Sequence, residues 1–365
     1  MDFEQIAAER VRWEDEPSLC AVNCSTTKGT ITLRRGHFVD GAAAGVEVVS
    51  IDTGAVRVIV LPSRGMAIWR MESAGKRFGW QSPVAGPVHP SLVPVFDPGG
   101  IGWLEGFDEL LVRCGLESNG APQWNDAGQL EYPLHGRIAN LPASVLKVEV
   151  DPESGRLTLE GVVTEARLFI KRLELRSRLT VTAGETSVEI EDTVTNGLSR
   201  AATAQMLYHI NVGPPVLGPG AELQVASQEV KGKDEQSQAE IAQWNQIGEP
   251  QSGYAERVYF VTPESSDGVH SAALLKSADG TLGLGVQFDT RTLPQLVVWK
   301  NTAAMDDGYV VGIEPATNLP NTRGEETAAG RVVTLEAGES VTFRVRLQPM
   351  TTAVDVADYA TQQFG

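Results

Sequence analysis

Short β-branched and aliphatic runs, separated by Gly, Pro, Asn and Asp, recur along the whole chain. They include Val46–Ile51, Val56–Leu61, Leu157–Val163, Leu168–Thr182, Ser187–Asn196, Leu282–Phe288, Leu296–Lys300, Val310–Glu314 and Val341–Leu347. This pattern predicts an all-β fold, a large sandwich with few short helices. In Leu168–Thr182, alternation puts Leu173, Leu175, Ser177, Leu179 and Val181 on one face, with Arg172, Glu174, Arg176, Arg178 and Thr180 on the other. Such a strand has one buried and one wet side. Helical spacing is confined to Phe3–Trp13, Glu235–Gln243 and Val354–Gln362. Residues 78–133 lack periodicity and hold prolines at 83, 87, 90, 94, 98 and 122 together with Trp80, Trp103 and Trp124. A long ordered excursion over one face of the sandwich is expected there, and such loops often carry function. No repeat or linker interrupts the chain. The expected organisation is a helical or irregular lead-in at 1–29, a β-sandwich domain over 30–350, and a short C-terminal helix at 351–365 packed on that domain.

Composition narrows the partners. Acidic residues number 47 against 30 basic ones, a formal net charge of −17. A surface so negative repels phosphate backbones and anionic lipid, so neither nucleic acid nor membrane is an expected partner. The N-terminal residues 1–17 alternate charged and apolar side chains, unlike a signal peptide or membrane anchor. Three cysteines (Cys20, Cys24 and Cys114) leave an odd thiol, which fits a reduced, cytoplasmic protein. Exposed sheet edges leave room for a homodimer.

Five histidines are present, and two have informative surroundings. His135 lies in Tyr132-Pro-Leu-His135-Gly-Arg137-Ile-Ala-Asn140, and His209 closes an apolar strand that continues Tyr208-His209-Ile-Asn211-Val-Gly213. Each, alone, also fits a partly buried histidine bonded to backbone. In Val310-Val-Gly312-Ile-Glu314-Pro315-Ala-Thr-Asn318-Leu-Pro320 a carboxylate ends a strand and a proline stops it. Apolar neighbours would raise the pKa of Glu314, whereas a strand-end Glu in water would keep its ordinary value.

In this order, His135-Gly, Tyr208-His209-x-Asn211 and Glu314-Pro315-x-x-Asn318-x-Pro320 resemble the motifs of the aldose 1-epimerase (galactose mutarotase-like) superfamily. The likeness extends to Leu61-Pro62-Ser-Arg64-Gly65 and Leu293-Pro294-Gln-Leu-Val-Val-Trp299, spanning roughly residues 30–350. It departs from the mutarotase pattern in lacking an aromatic two positions after His209 and in carrying Ala316 where Gln commonly follows Glu-Pro. Pro-Ser-Arg-Gly, His-Gly-Arg-Ile and Lys300 after Trp299 are closer to a divergent branch with a domain of unknown function. The resemblance implies a galactose mutarotase-like sandwich acting on a small-molecule sugar. It implies interconversion of anomers by ring opening and closure, with Glu314 as base, His209 as acid and no cofactor or metal. His135, Asn211 and Asn318 join the substrate-binding set, with an arginine drawn from Arg64, Arg113 and Arg137. Trp299 would stack on the sugar. Lys300 is a secondary candidate, because on a regular strand it faces away from Trp299. The acid and base are expected on opposite sides of the sugar. Two further readings use the same residues: a metal-dependent lyase or isomerase for an oxidised sugar, and a carbohydrate-binding protein without catalysis.

Overall fold

The computed structural model describes residues 2–14, 21–265 and 267–365, which leaves Cys20 outside. Among these residues, two large antiparallel sheets face one another. The first has fourteen strands, and its main path runs Val11–Trp13, Gly29–Phe38, Glu47–Asp52, Arg57–Leu61, Ala67–Ser73, Leu111–Leu116, Ala202–Val212, Val310–Ala316, Gln295–Asn301, Arg257–Pro263 and Ser227–Gly232. The second has eight, in the order Val145–Asp151, Arg156–Arg167, Lys171–Thr182, Val188–Asn196, Ser340–Met350, Gly283–Asp289, His270–Lys276 and Glu222–Val225. The fold is the all-β sandwich that the alternation predicts.

Alternation explains the core. Val58, Ile68, Tyr208, Ile210, Val298 and Ile313 of the first sheet meet Leu159, Leu175, Leu179, Ile190, Val286 and Val345 of the second. The strand Ala202–Val212 is buried on both faces from Ala204 onward, because loops cover its outer side. A strand sealed on both faces reads as a continuous apolar run, which makes the polar His209 and Asn211 on its outer face conspicuous.

Several elements differ from expectation for physical reasons. The strand expected over Leu168–Thr182 begins at Lys171, since Leu168, Phe169 and Ile170 form the exposed tip of the hairpin joining Arg156–Arg167 to Lys171–Thr182. The excursion over 78–133 is interrupted by the central strand Leu111–Leu116, whose six residues are all buried. The lead-in adds Val11–Trp13 and Ala21–Thr26 to the sheet edge. Its helix is Phe3–Arg10, with Phe3, Ile6 and Ala7 set against Phe38, Val48 and Trp69. Glu235–Ala239 is helical and passes into a 3-10 turn at Ile241–Gln243. The C-terminal helix Ala353–Phe364 buries Val356 and Tyr359 against Leu274 and Met350. A further short helix, Arg323–Ala328, is opened by a capping box between Thr322 and Glu325, a signal visible in the sequence but attached to no apolar stripe. No helix among the described residues is long and apolar enough to cross a membrane.

Candidate active site

Register brings the two expected proton carriers together. Leu207 pairs with Ala316 and Ile210 with Ile313 across adjacent strands, so His209 lies directly opposite Glu314 on the outer face of the first sheet. His209 Nε2 is 3.2 Å from Glu314 Oε1, and both residues are buried, at 4 % and 2 % exposed. The contact is close but lacks hydrogen-bond alignment, leaving Oε1 a buried oxygen with no hydrogen-bond partner among the described residues. At 3.2 Å no sugar ring fits between them. A ligand would lie over the pair, which corrects the expectation of groups on opposite sides. Gly312 keeps that space open: a Cβ there would come within 2.5 Å of Glu314 Oε1 and 3.1 Å of His209 Cε1.

Hydrogen bonds set the tautomers. Asn211 Nδ2 donates to the Glu109 and His209 carbonyls, so its Oδ1 is the atom facing His209 Nδ1, at 2.6 Å. Nδ1 must therefore donate, and in the neutral ring Nε2 is the bare nitrogen turned to Glu314. His135 Nδ1 lies 2.9 Å from the backbone oxygen of Asn119, which can only accept, so its Nε2 is bare as well. Burial pushes the Glu314 carboxyl well above its ordinary range, and nearby Glu256 adds to the effect. Burial and the neighbouring His135 drive His209 down, and burial lowers His135 to about 4.

Aromatic rings wall the site. Trp103 stands 4.6 Å from His135 and 4.7 Å from Phe107, and Phe107 is 4.9 Å from His209, by ring centroids. Trp299 closes another side, 5.4 Å from His209, with its Nε1 donating to Glu256 at 2.7 Å. Trp103 is buried and its Nε1 has no hydrogen-bond partner among the described residues, a donor available to a ligand. Trp103, Phe107 and Gly312 escape sequence reasoning. The first two lie in an aperiodic segment, and only its density of tryptophan and proline hinted at a wall.

Of the expected residues, His135, His209, Asn211, Trp299 and Glu314 converge here, and the rest stand elsewhere. Arg64 is a clamp behind the wall, donating to Glu109 Oε1 (2.9 Å), the Gly106 carbonyl (2.7 Å) and Asn140. Gly106 has to be glycine, because a Cβ would lie 2.8 Å from that guanidinium and 2.7 Å from Val93. Arg113 points the other way, into the space between the sheets, where it binds Asp192, Ser177 and the Met66 carbonyl. Every donor direction of Arg113 is used within the core, so the expectation of a sugar contact is corrected. Lys300, also on the inner face, donates to the Gln243 and Gln246 carbonyls, and strand alternation separates it from Trp299. Arg137 lies over Phe96 at the edge, 5.5 Å from its centroid. Asn318 is fully buried, with its amide bonded to that of Asn119.

A groove of about 930 Å³ lies elsewhere, on the outer face of the second sheet between Arg156, Arg178, Glu191, His270, Arg344 and Phe364. It is open and polar, and ion pairs such as Arg156–Glu189 and Arg344–Glu191 already satisfy much of its charge. The facing pair of His209 and Glu314 is therefore the candidate site. Among the described residues, no group of three or more His, Cys, Asp and Glu is arranged to hold a metal ion.

Residues 43–348 match the model of a domain of unknown function, DUF4432. The chain belongs to this family. No curated protein matches it. Among solved structures, it is similar to a candidate aldose 1-epimerase from Klebsiella pneumoniae, at 28% identity and a TM-score of 0.90 over 98% of this chain and 96% of that one. A galactose mutarotase-like protein from Clostridium acetobutylicum follows at 13% identity and TM-score 0.61, covering 88% and 98%. A galactose mutarotase related enzyme from Lactobacillus acidophilus gives 12% and 0.57, covering 84% and 98%. These last two establish the shared fold alone. The DUF4432 chain thus has the galactose mutarotase-like fold.

Proposed function

We propose that this DUF4432 protein is an aldose 1-epimerase-like isomerase, interconverting sugar anomers through the open-chain form. The observation that carries the reading is the facing pair: a buried carboxyl with a free oxygen, 3.2 Å from a bare imidazole nitrogen, in an aromatic box. Ring opening needs one group to take the anomeric hydroxyl proton and another to protonate the ring oxygen as its bond to C1 breaks. After rotation about C1–C2, the same two transfers in reverse close the ring on the other face.

One proton shared by the pair meets this need, since one group is loaded while the other is empty. Burial favours a resting form with the proton on Glu314 and Nε2 of His209 bare. The roles expected from the sequence, Glu314 accepting and His209 donating, belong to the same pair after that proton has crossed. His135 offers its bare Nε2 to a sugar hydroxyl, and Trp103 offers its indole N–H. Trp299 and Phe107 supply the apolar faces against which sugar rings commonly stack.

Anomer exchange followed by NMR, across free aldoses, deoxy sugars, uronic acids and keto sugars, tests the reading. Glu314→Gln should reduce turnover by roughly 10²–10⁴-fold, the usual worth of one acid–base group, with sugar binding retained. Undiminished exchange in that variant would remove Glu314 from the mechanism. Exchange absent from the wild-type chain across the whole panel, with binding intact, would favour a carbohydrate-binding role.

A further inference from the structure

The amide pair behind His135 carries an inference that rests on the reading above and extends it. We propose that Asn318 and Asn119 form a latch that positions His135 relative to Glu314 and His209, and that neither side chain contacts sugar. Asn119 Nδ2 donates to Asn318 Oδ1 at 3.1 Å, and Asn318 Nδ2 returns the bond to Asn119 Oδ1 at 2.9 Å. Both residues are fully buried. The remaining capacity of Asn318 is also used, since its Oδ1 accepts from Thr317 Oγ1 at 2.6 Å and its Nδ2 donates to the Leu319 carbonyl at 2.9 Å. A side chain so occupied has nothing left to offer a ligand.

The latch spans the three motifs. Asn318 stands four residues after Glu314 on the same segment. The backbone N–H of Asn119 donates to Gln205 Oε1 at 3.1 Å, from the strand that carries His209. Its carbonyl takes the Nδ1 proton of His135, and the N–H of His135 donates to the Gly120 carbonyl at 2.9 Å. Ala121 N–H bonds the carbonyls of Pro320 and Asn321, zipping the two segments together. Gly120 permits that approach, because a Cβ would fall 2.2 Å from the Asn321 carbonyl oxygen. The carbonyl that fixes the His135 tautomer is therefore held in place by a residue of the glutamate motif. This accounts for a buried Asn four positions after the catalytic carboxyl without placing it in the pocket.

The test separates positioning from contact. Asn119→Ala leaves the carbonyl that accepts from His135 chemically intact and removes only what holds it. In the ligand-free protein, ¹⁵N shifts of the His135 ring should move from a single Nδ1–H tautomer towards a mixture in Asn119→Ala and in Asn318→Ala. With the aldose turned over fastest by the wild type, kcat/KM should fall roughly 10- to 100-fold, the cost of a misplacement near 1 Å, in step with the change of tautomer. In a His135→Ala background, Asn318→Ala should cost nothing further. Where Asn318→Ala gives little folded protein, Asn318→Asp serves, since it keeps the acceptor for Asn119 and loses the donor. A rise in KM alone with the His135 tautomer unchanged would make Asn318 a sugar contact and overturn the latch. Unchanged ring shifts and unchanged kinetics would overturn it too. The tautomer measurement needs no turnover, so a chain inactive on every aldose would sink the epimerase reading and still decide the latch.

Discussion

Asn211 fixes the His209 ring, whereas the Glu314 carboxyl is held by little beyond its own backbone. Glu314 Oε1 has no hydrogen-bond partner among the described residues, and the space above it persists because residue 312 lacks a Cβ. Gly312→Ala should accordingly lose most anomer-exchange activity while the melting temperature stays within a few degrees, because Ala suits a strand better than Gly. Activity near the wild-type level would mean that the ligand does not lie over the pair. His209 and Glu314 were legible as residues of interest because each ends an apolar run, where a polar side chain needs an explanation, whereas His135 stood out by its His-Gly motif. The arginines were not legible. Arg113 and Arg64 stand in equally apolar surroundings, yet nothing local distinguishes a guanidinium that faces a pocket from one that meets Asp192 between sheets or the Gly106 carbonyl. That distinction depends on partners 79 and 42 residues away.

Strand positions could largely be read from alternation, but pairing could not. That Ala202–Val212 lies between Leu111–Leu116 and Val310–Ala316 depends on long-range contacts that no periodicity reports. The central strand inside the proline-rich excursion was masked, because a strand buried on both faces does not alternate. Arg113 belongs to this strand. With Asp192, Tyr208 and Ser177 it joins the two sheets through a buried polar network. Arg113→Met should destabilise the fold by about 3–5 kcal/mol, since it leaves the Asp192 carboxylate buried without its cation. Arg113→Met with Asp192→Leu should recover much of that loss. Urea unfolding of the two variants checks both, and equal destabilisation would show that the pair itself, rather than the orphaned charge, sets the cost.

For the molecule as a whole, acid stability follows from where protons are refused. His135, ordinarily near 6.5, sits at about 4 when folded. Between those values the unfolded chain takes up a proton that the folded chain declines, so this residue's contribution is lost as pH falls from about 6.5 to about 4 and is constant below. Asp108, raised by burial to about 7, acts in the opposite sense: it favours the fold below its unfolded value near 3.8, and that benefit disappears as pH rises through about 7. The two oppose one another across the same window, so the wild type should show a shallow dependence. His135→Asn should shed the loss on acidification, and its urea midpoint relative to wild type should rise between pH 7 and pH 4.5. A difference independent of pH would mean that His135 is not held neutral. The sandwich itself was legible from the chain, whereas the closing of loops over one face depends on tertiary contacts. That closure divides the labour: adjacent central strands hold the proton-transfer pair, while irregular segments carrying Trp103, Phe107 and His135 build much of the surrounding wall. Insertions and exchanges in such segments leave the ladder that spaces His209 and Glu314 untouched, so, under the proposed function, a lineage built on this plan can change the sugars it accepts while inheriting its chemistry intact.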